Sequence, residues 1–185
     1  MKRFKGYAYR QAGFTLIEVL VIMFIISTLS TVLVVNWRKN EKRYQLQRSA
    51  QTVVQNFRKV QSMSLAGKNL CDQDSPCIPR NYGVHFGKTT LTSYVIFADK
   101  NNNGKYASAV ETNEHIETIY LESGIELSLS VDLDVVFSVP DGFVMINAKP
   151  LTTEASLTIK RSGTTCPSSN CKIIIIKKSG QITIQ

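Results

Sequence analysis

The sequence predicts an α+β fold in which one long N-terminal helix packs on an antiparallel β-sheet domain. The first half of that helix is an apolar run over residues 14–35, and no proline or glycine interrupts the chain between Phe14 and Ala66. Its second half carries apolar residues at spacings of three and four, as expected of an amphipathic helix. After residue 82 the pattern changes to short alternating runs separated by turn residues, which predicts β-strands.

Composition and charge indicate a modest soluble domain with a membrane segment. The chain has 185 residues, 43% of them hydrophobic, and a net charge of +8. Lys2, Arg3, Lys5 and Arg10 precede Gly13, and without these four residues 18 basic side chains stand against 14 acidic ones, a net charge of +4. About half of the basic excess therefore lies in an N-terminal leader, where basic residues set membrane orientation. A high isoelectric point is then poor evidence for nucleic-acid binding.

The apolar run over residues 14–35 admits three interpretations. A secretory signal peptide has an apolar stretch of about 7–15 residues followed by small residues at a cleavage site, and this run of 22 residues has neither feature. A signal anchor fits the length, because about 20 apolar residues span a bilayer. It leaves unexplained Glu18, the one charged residue in the run. A charge at the centre of a membrane helix costs roughly 2.5–3.5 kcal/mol, so Glu18 is expected to have a function.

The third interpretation explains Glu18. The string Gly13-Phe14-Thr15-Leu16-Ile17-Glu18, after a basic leader, resembles the type III signal sequence of type IV pilin-like proteins, which include pilins and the pseudopilins of type II secretion and DNA uptake. The resemblance implies that a prepilin peptidase cleaves between Gly13 and Phe14 and that Phe14 is then N-methylated. It also implies that Glu18 pairs with the Phe14 amine of a neighbouring subunit in a filament, each charge offsetting the other's desolvation.

The resemblance also orients the chain. Four basic residues follow the apolar run, namely Arg38, Lys39, Lys42 and Arg43, so the positive-inside rule does not choose a direction. The implied topology is a single-pass membrane protein with a cytoplasmic N-terminus and an extracytoplasmic β domain, later part of a pilus or pseudopilus at the cell surface. The implied partners are the prepilin peptidase, membrane lipid before assembly, the inner-membrane assembly platform and other pilin or pseudopilin subunits.

The predicted segments are the leader 1–13, the transmembrane and filament-core helix 14–36, the amphipathic helix 37–66 and the β domain 67–185.

The amphipathic half is predicted to bury one stripe against the β domain. The stripe consists of Leu46, Ala50, Val53, Val54, Phe57 and Val60. The opposite face carries Gln45, Arg48, Gln55, Arg58 and Lys59. A coiled coil is the alternative, but the apolar spacing continues for under three heptads without a strict seam. Gly67 is expected to end the helix as a C′ residue.

The β domain is predicted to contain nine strands. They are 82–86, 93–98, 115–121, 125–133, 135–139, 143–146, 155–160, 172–176 and 181–184. Glycine-containing turns separate several of them, and the last two form a predicted hairpin around Ser179-Gly180. Residues 173–176 are apolar on both faces, which favours a central strand.

A second, looser resemblance covers most of this domain. The segments Phe97-Ala98-Asp99, Asn103-Gly104 and Val136-Phe137-Ser138-Val139-Pro140-Asp141-Gly142, followed by a closing strand after Ser179-Gly180, resemble H-type minor pseudopilins and fimbrial T/U-type minor pilins. The resemblance implies the type IV pilin fold and a structural subunit. Because some minor pilins of the fimbrial T-like branch bind DNA through C-terminal basic residues, DNA uptake is the alternative function. The candidate residues are Lys160, Arg161, Lys172, Lys177 and Lys178.

The four cysteines form two local pairs, Cys71/Cys77 and Cys166/Cys171. An even count in an exported domain favours disulfides, although four cysteines allow three connectivities. A zinc site that uses all four thiolates and free thiols are the alternatives. The spacing within each pair is looser than in most zinc sites.

One segment begins like an EF-hand calcium loop, with Asp99, Asn101 and Asn103 as candidate ligands before Gly104. The full pattern needs a glutamate at the twelfth position, where this chain has Val110. A long hairpin in which Asn and Gly supply positive φ angles is therefore the favoured interpretation, and a calcium site outside the EF-hand pattern is the alternative.

No catalytic pattern stands out. The chain has two histidines, His85 and His115, and contains no HExxH, P-loop or GxGxxG sequence. Both histidines are expected to be surface residues of strands. The sequence thus predicts a protein that is not an enzyme and that has no cofactor, calcium excepted.

Overall fold

A computed structural model describes residues 13–67, 81–107, 114–138, 142–167 and 169–185, without the side chains of residues 34–40. It contains a helix, α1, and ten strands in the described part of the chain. Their bounds are α1 Leu16–Leu65, β1 Asn81–Phe86, β2 Ser93–Asp99, β3 His115–Tyr120, β4 Ile125–Ser128, β5 Leu133–Ser138, β6 Val144–Ile146, β7 Lys149–Pro150, β8 Glu154–Arg161, β9 Cys171–Lys177 and β10 Ile182–Ile184. The chain divides into two compact units, one up to Glu41 and one from Lys42 onward.

The first unit contains the apolar part of α1. Residues Leu16–Leu33 have a mean hydropathy of 2.4, and none of this segment is buried. The segment is long and apolar enough to cross a membrane. Its hydroxyl groups bond to the helix's own carbonyl oxygens: Ser27 donates to Met23 over 2.7 Å, and Thr31 donates to Ser27 over 2.9 Å. These polar groups therefore need no external partner in an apolar surrounding.

In the second unit, α1 buries the predicted stripe. All six stripe residues are buried, and Ala50, Phe57 and Val60 are completely inaccessible. Phe57 lies against β1 and β5, with ring centroids 5.7 Å from Phe86 and 6.4 Å from Phe137. The helix ends at Leu65 and Gly67 has a φ of +58°, as expected of a C′ glycine. The predicted helix and its packing on antiparallel strands are confirmed.

The strands form two antiparallel sheets rather than one continuous sheet. The first has the order β3-β2-β1-β5-β6-β7, and the second has the order β10-β9-β8-β4. The central position of β9 and the β9–β10 hairpin agree with the sequence analysis. Side chains from α1 and both sheets meet in a shared core that includes Val84 of β1, Leu157 of β8 and Ile174 of β9.

The observed strands differ from the predicted ones in two places. The predicted strand 125–133 is two elements, because Leu127 pairs with Ile159 in the second sheet whereas Leu133 pairs with Phe86 in the first. Residues 129–132 carry the chain from one sheet to the other, and β5 begins at Leu133. Strand β7, a two-residue exposed strand that pairs with β6, was not predicted. A strand this short has no period that a pattern could reveal.

Candidate functional site

Thr15 caps the start of α1 and positions Glu18. The Glu18 amide donates to Thr15 Oγ1 over 3.3 Å, and the Val19 amide donates to the Thr15 carbonyl oxygen over 3.3 Å. Thr15 is thus the N-cap residue of α1, and Glu18 lies at the N3 position. An acidic residue in the first turn is also favoured by the helix dipole. The role of Thr15 was not predicted, although Thr-x-x-Glu before an apolar run is the sequence signal for a helix N-terminus.

The Glu18 carboxylate has no hydrogen-bond or ion-pair partner within the part of the chain that the structure describes. The side chain is exposed, as are Gly13 and Phe14. Apart from its chain neighbours, no described residue has a heavy atom within 4 Å of the position that a Cβ atom on Gly13 would take, and Phe14 is 76% exposed. Among the described residues, the Gly13–Phe14 junction is therefore exposed and the Glu18 carboxylate is left unpaired.

The apolar side chains of the first unit are exposed as well. Leu16, Phe24 and Leu33 have 83%, 68% and 67% of their surfaces accessible. Large contiguous apolar surfaces on proteins indicate contact with membrane or with other protein. The exposed apolar surface of this segment is therefore suited to contact with lipid or with other protein.

The 99–104 loop has the hydrogen bonds of a tight Asx-turn series. Asp99 Oδ1 accepts from the Asn103 amide over 3.0 Å, and Asp99 Oδ2 accepts from the Gly104 amide over 2.8 Å. Asn101 Oδ1 also accepts from Asn103, and Asn103 Oδ1 accepts from the Lys105 amide. Asn102 and Gly104 have φ values of 59° and 70°. The loop connects β2 to β3, which agrees with a long hairpin. Among the described residues, no three His, Cys, Asp or Glu side chains lie together as a metal site.

His85 is half-buried and paired, so the prediction of a surface histidine was wrong for this residue. Its Nδ1 atom lies 2.7 Å from Asp134 Oδ1, and its ring lies over Tyr106 with a centroid distance of 4.8 Å. The two residues of the pair are in register across β1 and β5. His115 is exposed, with Nε2 2.8 Å from Thr118 Oγ1. The two histidines lie on different strands with different partners.

The candidate DNA-binding residues do not form one cluster. Lys160, Arg161 and Lys172 lie at one end of β8 and β9, whereas Lys177 and Lys178 lie at the other. The five residue steps from Lys172 to Lys177 span about 17 Å of strand. Lys160 Nζ is 3.3 Å from Glu126 Oε1, and Arg161 Nη1 donates to Asn170 Oδ1 over 3.3 Å. The β8–β9 register therefore separates these candidate side chains along the sheet.

Cys166 and Cys171 form a disulfide with a Cα–Cα distance of 6.0 Å. The bond closes the loop between β8 and β9, where Arg161 Nη1 reaches Asn170. Cys71 and Cys77 lie outside the described residues.

Two buried tyrosine side chains have shifted pKa values. Burial raises the pKa of Tyr82, whose hydroxyl has no hydrogen-bond partner in the part of the chain that the structure describes. Burial also raises the pKa of Tyr94 to about 12, the hydrogen bond from Asn56 lowers it, and the negative charge of Glu117 raises it. Both tyrosines belong to the hydrophobic core, so the shifts reflect packing rather than a reactive site.

Comparison with known proteins agrees with the N-terminal geometry. Residues 9–34 match the family model of the prokaryotic N-terminal methylation motif. The match covers the Gly13-Phe14 junction, the Thr15 cap and Glu18, and it confirms the predicted signal sequence. No curated protein and no solved structure matches the chain significantly.

Proposed function

We propose, from the premise that this chain carries the N-terminal methylation signal of type IV pilin-like proteins, that it is a non-enzymatic structural subunit of a type IV pilus or type II secretion pseudopilus. A prepilin peptidase cleaves it between Gly13 and Phe14, and Phe14 becomes the methylated N-terminus. The helix holds the subunit in the membrane until it assembles with other subunits.

The exposed apolar helix with its unpartnered Glu18 is the observation that supports this proposal. Cleavage after Gly13 creates a positive amine four residues before Glu18, at the edge of the apolar segment. In a filament, the Glu18 carboxylate of one subunit pairs with the Phe14 amine of the next. Head-to-tail contacts of this kind do not close on themselves, so they generate an open filament.

The branch of the family is a finer part of the same proposal. The looser resemblance of segments such as Phe97-Ala98-Asp99 favours an H-type minor pseudopilin or a fimbrial T/U-type minor pilin. The β domain then lies outside the cytoplasmic membrane, where disulfides such as Cys166–Cys171 persist. The assembly platform in the inner membrane inserts the subunit into the filament.

Mass spectrometry of the mature N-terminus tests the proposal. Protein recovered from cells that contain the prepilin peptidase is expected to begin at N-methylated Phe14, and protein from cells without the peptidase is expected to keep residues 1–13. Intact leaders in both samples would indicate a signal anchor that never polymerises. Cleavage beyond residue 35 in both samples would indicate a secretory signal peptide.

DNA uptake remains the alternative function. Lys177 and Lys178 are exposed next to the β9–β10 turn and are the described candidates best placed to contact phosphates. A DNA-binding subunit would bind duplex DNA with an affinity that falls steeply with salt concentration. Binding by the full chain in detergent, lost in the Lys177→Ala/Lys178→Ala variant, would favour this alternative. Unchanged electrophoretic mobility of DNA would exclude it.

A further inference from the structure

Glu114 is a buried carboxylate with an unused oxygen. The residue precedes β3, and its side chain is completely inaccessible. Its Oε2 atom accepts a hydrogen bond from the Ala107 amide over 3.0 Å, whereas Oε1 is buried without a partner among the described residues. A buried polar atom without a partner is unfavourable, more so when it carries charge. The Oε1 atom of Glu114 is therefore expected to gain stability from a cation or a hydrogen-bond donor.

Asp99 places a second buried carboxylate at the start of the same loop. It too is completely inaccessible, and its oxygens accept from the Asn103 and Gly104 amides and from Asn81 Nδ2. No Lys or Arg in the described part of the chain forms an ion pair with Asp99 or Glu114. Two buried negative charges thus bond to backbone amides of one nine-residue segment without a compensating cation.

The first half of this loop has the ligand order of a calcium loop. Asp99, Asn101 and Asn103 occupy the first, third and fifth positions, and the carbonyl of Lys105 occupies the seventh. The chain has Val110 at the twelfth position, where an EF-hand has its bidentate glutamate. Glu114, directly before β3, accepts a hydrogen bond from the Ala107 amide of this loop. Spacing along the sequence could not reveal this contact.

We propose that the loop 99–107 and Glu114 together bind a calcium ion. Asp99, Asn101, Asn103 and the Lys105 carbonyl supply oxygens from one side, and the free Oε1 atom of Glu114 supplies the second carboxylate. Calcium takes six to eight oxygen ligands in flexible geometry, which suits this mixed set, whereas magnesium requires a stricter octahedron. With two carboxylates among its ligands, the site is expected to have a dissociation constant on the order of 10⁻⁴–10⁻³ M, the range of extracellular calcium modules.

Terbium luminescence tests the site directly. Tyr106 lies within the loop and can sensitise a bound terbium ion, a common calcium substitute. We expect chelator-treated full-length protein in detergent micelles to show tyrosine-sensitised terbium emission that calcium displaces and an equal concentration of magnesium does not. Calcium alone is expected to raise the melting temperature. Titration to about 10 mM calcium, ten times the weak end of the expected range, without either effect would overturn the proposal.

The variant Glu114→Gln tests whether Glu114 coordinates the calcium ion. It keeps an oxygen for the Ala107 amide and removes the negative charge, so calcium affinity is expected to fall by about tenfold or more. Without calcium, the variant is expected to melt at the same temperature as the parent protein or higher, because an uncompensated buried charge is gone. Glu154→Gln, at an exposed glutamate, is the matched control and is expected to bind like the parent.

Two outcomes would contradict the assignment. If Glu114→Gln binds calcium with the parent's affinity, Glu114 is not a ligand. If the variant does not fold, Asn101→Ala, at an exposed loop position, serves instead: unchanged affinity there would contradict the loop's role. These measurements report metal binding and not polymerisation, so they are independent of the filament function proposed above.

Discussion

Asn56 Nδ2 donates a hydrogen bond to the phenolic oxygen of Tyr94 over 2.7 Å and thereby joins α1 to β2. The Tyr94 side chain is 1% exposed and belongs to the core that the helix covers. The hydroxyl needs this partner because no water reaches it. The helix is thus held to the sheet by a polar contact as well as by its apolar stripe.

This pair leads to a prediction about alkaline pH. Burial raises the pKa of Tyr94 from 10.0 to about 12, so the folded state favours the neutral phenol. The associated stability is fully present below pH 10 and is lost as the pH rises through about 12. A shift of this size corresponds to about 3 kcal/mol at most. Unfolding of the full chain in detergent, followed at increasing pH together with tyrosinate absorbance, measures the loss.

Tyr94→Phe is expected to flatten this alkaline dependence. At neutral pH the variant should lose about 0.5–1.5 kcal/mol, the typical net value of one hydrogen bond. Tyr120→Phe, at a tyrosine that is 75% exposed, is the matched control and should leave both properties unchanged. An alkaline dependence that is equally steep in Tyr94→Phe would show that another group causes it.

Phe57→Ala should be among the most destabilising helix substitutions. The Phe57 ring is inaccessible and lies against Phe86 and Phe137, so removing it leaves a cavity in the centre of the core. We expect the free energy of unfolding to fall by about 3–5 kcal/mol. Arg58→Ala, one position along the same helix and exposed, should change it by less than about 0.5 kcal/mol. Equal effects in denaturant titrations would contradict the packing of this helix face.

Gly83→Ala tests a close approach in β1. A Cβ atom at Gly83 would lie 2.6 Å from Phe97 Cζ and 2.9 Å from Val136 Cγ2. Phe97 also packs on Tyr106 at a centroid distance of 5.4 Å, so its ring has little room to move. The melting temperature should fall, because overpacking is expected to lower the free energy of unfolding by about 1–3 kcal/mol.

Gly87→Ala is the control for Gly83→Ala. At Gly87 the nearest atom is the hydroxyl oxygen of exposed Thr90, at 2.7 Å, which can rotate away. A smaller loss of stability is therefore expected. If the Gly87 variant were the less stable of the two, the close contact with Phe97 would not be what determines the cost of an added Cβ atom.

Glu18→Gln tests the proposed pairing in the filament. Removing one partner of a buried ion pair typically costs about 3–5 kcal/mol, so we expect leader cleavage to continue while assembly into filaments fails. Glu41→Gln, at an exposed glutamate of the same helix, should assemble normally. Both variants are compared by mass spectrometry of the N-terminus and by recovery of filaments. Normal filaments from Glu18→Gln would refute the pairing.

Features set by local sequence were predicted well. The amphipathic period from Leu46 to Val60 correctly identified the buried face of α1, because every position of a helix is determined by its neighbours within one turn. Gly67 marked the end of the helix for the same reason. The local spacing from Thr15 to Glu18 also contained the cap, and this signal was available and missed.

Features that depend on distant pairings could not be predicted. The sequence could not show that residues 129–132 cross between two sheets, since Leu127 and Leu133 look alike in an alternating pattern but pair with strands far apart in the chain. The same holds for the pair His85 and Asp134, which are 49 residues apart.

The sequence by itself determined the apolar helix, its processing signal and its buried stripe, because each depends on residues only a few positions apart. Only the tertiary structure decided how the strands divide between two sheets, where the basic residues lie and which acidic residue reaches the 99–107 loop. Those relationships depend on strand register, and register follows from the packing of the whole core.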